Sequence, residues 1–182
     1  VLLANGVQDL AENRVQAWRE KAESMPQTVK WHFIGSLQRN KVKYLAAGAV
    51  AWIHSLNSVR LADELERMGA KHAHTFHVLI EVNVAEEAQK QGVEPADVGE
   101  LVDHVRTLEH VELQGFMAMA PFADDPEAAR PTFAAVADLA DHWGLPERSM
   151  GMSGDFEIAI EEGATMVRVG TALFEWTDDD AS

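Results

Sequence analysis

The chain has 182 residues, 47% hydrophobic and 25% charged, which fits one globular domain with a sizeable core. Its net charge of -15, from 30 acidic and 15 basic side chains, argues against nucleic acid or an anionic membrane as the main partner. There is no cysteine, which excludes disulfides and thiolate chemistry, and no apolar run approaches the roughly 20 residues that cross a bilayer.

Strand-like and helix-like stretches alternate along the chain. Short apolar runs rich in β-branched and aromatic residues predict strands at 7–13, 29–35, 50–55, 76–84, 112–120, 149–152 and 165–170. Helical spacing of apolar residues predicts helices at 15–25, 38–48, 58–69, 95–108, 126–144 and 154–164.

Two of these helices carry start or stop signals. In residues 58–69, Leu61, Leu65 and Met68 share one face, Asn57 or Ser58 is the predicted N-cap, and Gly69 is the predicted end. In residues 126–144, Pro131 is predicted to interrupt the helix.

Strands that alternate with helices predict a parallel sheet joined by right-handed crossovers. No Gly-x-Gly-x-x-Gly follows the first strand, which disfavours a dinucleotide-binding sheet and leaves a (β/α)8 barrel of the TIM type. The chain supplies about seven of the eight units, and residues 1–6 look like the last turn of a helix that ends at Gly6. We therefore expect an N-terminally incomplete barrel domain over residues 1–175 and an acidic tail over 176–182.

Two turns near the C-terminus suit a phosphate. The sequence SMGMSGDF predicts a strand, a turn and a helix, with Ser153 at the N-cap and Gly154 at the first helical position, where exposed N–H groups attract anions. Ordinary capping by Ser153 is the alternative. In VRVGTALF the turn at Gly170 and Thr171 follows the last strand, and barrel enzymes often hold a phosphate after strands 7 and 8. Arg168 alternates with Val167 and Val169, so it is predicted to point into the barrel, where its guanidinium needs an acceptor.

Further polar residues follow the earlier strands. Asn13 ends the first strand, Ser36 follows the second, and His54 with Ser55 follows the third. Carboxyl ends of parallel strands share one rim, so all four are expected there. A polar loop is the expected role of His72, His74 and His77, and no metal site is predicted.

Five motifs in this order resemble the YggS/PROSC family of proteins that bind pyridoxal 5'-phosphate (PLP): WHFIGSLQRNKV, HSLNS, LQGFMAMAP, SMGMSGDFEIAI and VRVGTALF. The similarity covers nearly the whole chain. It implies an alanine-racemase-like (β/α)8 barrel and a role in vitamin B6 homeostasis, in which the protein binds, stores and delivers PLP without established turnover.

The resemblance also implies roles for individual residues. Ser153, Gly170 and Thr171 take the phosphate, Gly154 shapes the turn, and Arg168 approaches the pyridine nitrogen. Asn13, Ser55 and Met152 line the ring pocket. An arginine at the nitrogen does not protonate it, so the ring is a poor electron sink.

The sequence departs from the family at two points. Ser36 stands where relatives commonly have His. The Schiff-base lysine of the family belongs to a first strand upstream of residue 1, and its motif is matched by none of the chain's lysines, which are Lys21, Lys30, Lys41, Lys43, Lys71 and Lys90.

Two other functions remain open at this point. A PLP-dependent amino-acid racemase needs a second acid/base, for which the single tyrosine, Tyr44, is a poor candidate because it is predicted to lie in a helix. A barrel that binds another phosphorylated metabolite is the third possibility. We expect a cytoplasmic monomer whose partners are PLP and PLP-dependent apoenzymes.

Overall fold

The computed structural model describes residues 2–48, 50–84 and 92–174, where seven strands alternate with seven α-helices. In chain order the elements are β1 (Asp9–Glu12), α1 (Val15–Ala22), β2 (Lys30–Phe33), α2 (Val42–Ala47), β3 (Trp52–Leu56), α3 (Val59–His72), β4 (Phe76–Glu81), α4 (Val98–Val105), β5 (Val111–Met117), α5 (Arg130–Trp143), β6 (Glu147–Met152), α6 (Phe156–Glu161), β7 (Met166–Arg168) and α7 (Thr171–Phe174). Short 3-10 helices cover Leu3–Asn5, Arg39–Lys41, Pro95–Asp97 and Pro126–Ala129.

All seven strands form one parallel sheet whose order follows the sequence. Strands β3 and β6 are separated by two others, yet His54 Nδ1 lies 2.8 Å from Ser149 Oγ. Such a contact requires the sheet to curve until it nearly closes, with these side chains on its concave face. The predicted barrel of about seven strand–helix units is therefore confirmed, with β1 and β7 as its end strands.

Helix α3 shows how the outer layer is held. Its predicted apolar face is confirmed, since Leu61, Leu65 and Met68 are at most 2% exposed. Full burial of such a side chain contributes roughly 1.5–3 kcal/mol. Of the two predicted caps, Ser58 is the one used, because its Oγ accepts the N–H of Leu61 at 3.3 Å.

Two predicted helix breaks are wrong. Helix α3 continues past Gly69 to His72, because Gly69 is a packing glycine: an added Cβ would overlap His110 and the carbonyl oxygen of His74. Pro131 does not interrupt α5 but lies in its first turn, where a missing N–H breaks no helical hydrogen bond.

The first described residues test a smaller prediction, whereas the last predicted segment is not described. The helical turn before Gly6 is confirmed as a 3-10 helix, which ends at Gly6 with a φ of 84°. The acidic tail 176–182 lies outside the described residues.

Candidate functional site

The two predicted phosphate turns lie side by side at the carboxyl ends of β6 and β7. Ser153 Oγ accepts hydrogen bonds from the N–H groups of Gly170, at 3.4 Å, and Ala172, at 3.2 Å. The strands below are neighbours, and Met152 is aligned with Arg168. One hydroxyl therefore joins the turn after β6 to the first turn of α7, where Thr171 stands between the two N–H groups.

The predicted cap of α6 is wrong. The N-cap position is held by Asp155 and the helix begins at Phe156, so Gly154 lies in the preceding turn rather than at the first helical position. Asp155 Oδ1 accepts the N–H of Met152 at 2.6 Å. Because the turn is closed in this way, the hydroxyl of Ser153 faces α7 rather than capping α6.

The donor set of these turns fits a phosphate. Both N···O distances at Ser153 exceed the usual 2.9–3.0 Å, so these contacts are weak and an anion can replace them. An added Cβ at Gly154 or Gly170 would meet nothing within 4 Å, so both positions border open space. The hydroxyls of Ser153 and Thr171 add two donors, and phosphate oxygens accept from donors of this kind.

Arg168 points into the barrel, as predicted, while its neighbour Val167 is 39% exposed. Its Nη1 donates to Ser149 Oγ at 2.7 Å, and its Nη2 donates to the carbonyl oxygen of Ala118 at 3.0 Å. The buried guanidinium therefore has the hydrogen-bond acceptors that the sequence analysis expected. Two of its five N–H groups are used in these bonds, which leaves donors for a ligand.

Two carboxylates balance the charge of Arg168. Burial lowers the pKa of Arg168 to about 10, although attraction to Asp155 and Glu81 opposes the shift. Glu81 ends β4 and is 3% exposed. Burial raises its pKa, and Arg168 opposes that change. The guanidinium therefore stays charged at neutral pH in a site that disfavours charge.

A chain of hydrogen bonds continues from Arg168 through the barrel interior. Ser149 Oγ lies 2.8 Å from His54 Nδ1, His54 Nε2 lies 2.9 Å from His32 Nδ1, and His32 Nε2 lies 3.1 Å from Asp9 Oδ1. The predicted place of His54 at the rim is wrong, because it occupies the middle of β3 and is 2% exposed. Asp9 begins β1, so the chain spans the barrel from one end to the other.

Asn13 and Ser55 each lie beside Gly35, the residue that follows β2 by two positions. Ser55 Oγ donates to the carbonyl oxygen of Gly35 at 2.6 Å. An added Cβ at Gly35 would overlap the carbonyl oxygen of Asn13, so the backbones after β1 and β2 are in close approach. Asn13 is exposed and Ser55 is 1% exposed.

A basic cleft of about 360 Å³ lies beside Asn13. Its lining includes Ser36, Arg14, Gln38 and Tyr44. The Tyr44 ring belongs to α2, and the cations of Lys43, Arg19 and Lys41 lie 5.0, 5.1 and 5.8 Å from its centre.

The sequence analysis missed Asp9, His32 and Ser149, and it misplaced His54. A signal was present, because His32 lies between Trp31 and Phe33 and His54 follows Trp52 and Ile53, so each is a polar residue within an apolar run. Within the described ranges, no three His, Asp or Glu side chains are grouped so as to hold a metal ion. No helix in the same ranges is long and apolar enough to cross a membrane.

Comparisons with known proteins give consistent matches. Residues 1–177 match the family described as alanine racemase, N-terminal domain. A pyridoxal phosphate homeostasis protein of Aquifex aeolicus is 47% identical over 176 residues, which cover 93% of this chain and 77% of the relative. A protein of the same name from Deinococcus radiodurans is 43% identical over 173 residues, with 95% and 80% covered.

Solved structures agree with this result. PipY of Synechococcus elongatus, solved without PLP, has a TM-score of 0.86 at 32% identity and covers 94% of this chain and 84% of its own. PipY with PLP bound has a TM-score of 0.82 at the same identity and coverage. An alanine racemase of Clostridium difficile, at 17% identity and a TM-score of 0.78 over 98% of this chain and 50% of its own, shares the fold.

Proposed function

Because this chain belongs to the family of pyridoxal phosphate homeostasis proteins, built on the alanine racemase N-terminal domain, we propose that it binds PLP and takes part in PLP homeostasis. PipY, a structural neighbour, has been solved with PLP bound. The observation in this chain that carries the proposal is the hydroxyl of Ser153, which joins two donor-rich turns at the carboxyl end of the barrel.

The phosphate of PLP is proposed to bind at these turns. Ser153 and Thr171 donate through their hydroxyls, and Gly170 and Ala172 donate through their N–H groups. Gly154 is proposed to shape the turn, which borders open space because a Cβ added there would meet nothing within 4 Å. Asp155 does not repel the anion strongly, because its carboxylate is bound to the N–H of Met152.

The ring nitrogen is proposed to face Arg168. PLP supplies an electron-withdrawing ring, which is most effective when its nitrogen carries a proton. Arg168 holds its own proton at neutral pH, so it donates a hydrogen bond to the nitrogen without protonating it. With that nitrogen unprotonated the ring is a poor electron sink, so racemase chemistry or no turnover is favoured over transamination. Met152, Asn13 and Ser55 are proposed to line the ring pocket from β6, β1 and β3.

The proposal extends to the partners and the location of the protein. A cytoplasmic monomer with a barrel domain over residues 1–175 would bind PLP at its carboxyl rim and pass it to PLP-dependent apoenzymes. Such a transfer requires the rim to remain open, and Ser153 and the first residues of α7 are at least partly exposed there.

Phosphate-dependent binding tests the proposed function. Equilibrium dialysis of the purified chain against PLP and against pyridoxal should show binding of PLP and at least tenfold weaker binding of pyridoxal, because pyridoxal lacks the phosphate. Inorganic phosphate should compete with PLP. Thr171→Ala should weaken binding of PLP but not of pyridoxal.

Thr107→Ala is the matched control, since Thr107 is an exposed threonine whose hydroxyl donates to the carbonyl of His104, away from the rim. Equal binding of PLP and pyridoxal would refute the proposed phosphate site. An equal loss in the two threonine variants would also refute it.

A further inference from the structure

The hydrogen-bond chain from Asp9 to Arg168 has only one consistent direction when both histidines are neutral. Arg168 is a donor only, so Ser149 Oγ accepts from it. Asp9 at the other end has a largely exposed side chain, and a carboxylate of that kind accepts at neutral pH. His32 must therefore donate from Nε2 to Asp9.

The remaining links follow from that end. A neutral imidazole has one N–H, so His32 Nδ1 accepts from His54 Nε2. His54 Nδ1 then accepts the hydroxyl proton of Ser149. Every donor in the chain points away from Arg168 and towards Asp9, and no link has two donors or two acceptors.

One added proton reverses the middle of the chain. If His32 carries a proton on both nitrogens, its Nδ1 donates to His54 Nε2 and its Nε2 still donates to Asp9. His54 must then hold its single proton on Nδ1 and donate to Ser149 Oγ. The chain has gained one proton in total, and Ser149 Oγ then accepts from both His54 and Arg168.

We infer that Asp9, His32, His54 and Ser149 form a directional hydrogen-bond relay that positions the guanidinium of Arg168 and couples it to protonation at the amino-terminal end of the barrel. All four are positioning residues, since they act through Arg168. The inference rests on the proposed function only for its effect on PLP, because the relay itself belongs to the ligand-free protein.

The surroundings of the two rings decide where the proton rests. The groups that face His32 are Asp9, Lys30, Trp52, His54 and Glu147. Burial lowers the pKa of His32, while Asp9 and Glu147 favour its charged form.

The groups that face His54 are His32, Trp52, Ser149 and Arg168. Burial, then the neighbouring His32, then the charge of Arg168 hold the pKa of His54 well below its usual range. The proton therefore rests on His32.

Nuclear magnetic resonance of the ligand-free protein with 15N-labelled histidine tests the relay, because it distinguishes Nδ1–H, Nε2–H and doubly protonated rings. Both rings should be Nε2–H at high pH. As the pH falls, His32 should become doubly protonated while His54 changes to Nδ1–H, with one shared midpoint. Asp9→Asn should move that midpoint for both rings by about one pH unit to lower pH, since the carboxylate no longer stabilises the cation.

Asp63→Asn is the matched control, because it removes a carboxylate that lies 2.7 Å from His104 Nε2 on the outer surface. It should change the ring signals of His104 and leave the ring signals of His32 and His54 unchanged. An Nδ1–H ring of His54 at high pH would overturn the relay. Separate midpoints for the two rings, or an unmoved midpoint in Asp9→Asn, would also overturn it.

The pH dependence of PLP affinity separates this inference from the proposed function. The midpoint of that dependence should follow the shared ring midpoint and move with it in Asp9→Asn. PLP binding together with independent ring titrations would overturn the relay and leave the function standing. A shared ring titration without PLP binding would overturn the function and support the relay.

Discussion

Replacing Ser153 by alanine should separate a small effect on stability from a large effect on ligand binding. In the ligand-free protein the hydroxyl accepts two N–H groups at 3.4 and 3.2 Å, and bonds of that length belong at the low end of net hydrogen-bond energies, about 0.5 kcal/mol each. Ser153→Ala should therefore lower the free energy of unfolding by about 1 kcal/mol. For a chain of this size that corresponds to about 2–4 °C in Tm.

The expected loss of PLP affinity is larger. A hydroxyl that donates to a charged acceptor contributes about 1.5–3 kcal/mol, which converts to roughly a 10- to 100-fold increase in the Kd for PLP. Pyridoxal binding should not change. Thermal denaturation followed by circular dichroism gives the first quantity, and equilibrium dialysis gives the second.

Ser24→Ala is the control for this experiment, because Ser24 is an exposed serine that donates to the carbonyl of Lys21 far from the rim. The reasoning is refuted if Ser153→Ala changes the Kd for PLP by less than threefold. It is also refuted if stability falls by several kcal/mol, since the hydroxyl would then be a structural group rather than part of an anion site.

Two predictions concern the scaffold. Lowering the pH from 7.5 to 5.5 should reduce the free energy of unfolding, because the unfolded chain takes up protons near pH 6.5 that the lowered pKa values of His32 and His54 prevent in the folded state. The slope of the free energy of unfolding against pH is at most about 1.4 kcal/mol per pH unit for each ring. Urea unfolding at several pH values measures it. An increase in stability on acidification would contradict the argument. Gly35→Ala should destabilise the protein by about 2 kcal/mol or more, because the new methyl group overlaps the backbone of Asn13, whereas Gly99→Ala in α4 should be neutral or stabilising. Equal melting temperatures for the two glycine variants would show that the chain after β1 moves aside.

Local patterns were enough to predict the architecture. Seven apolar runs are separated by segments with helical spacing of apolar residues. Strands that alternate with helices are joined by crossovers, so this pattern predicts seven parallel strands. The alternation at 167–169 likewise placed Arg168 inside, since a strand turns successive side chains to opposite faces. The resemblance to a known family named the ligand class, and the sequence comparisons bear it out.

The sequence did not predict which residues far apart in the chain would contact each other. The role of Ser153 changed from a helix cap to a link with α7 because Asp155 closes its own turn, which depends on the backbone rather than on residue type. Ser149 and His54 are 95 positions apart, and only the curvature of the sheet brings them within 2.8 Å. Periodicity determines which face of a strand a residue occupies, but the partner it meets across a barrel is fixed by how the whole sheet closes.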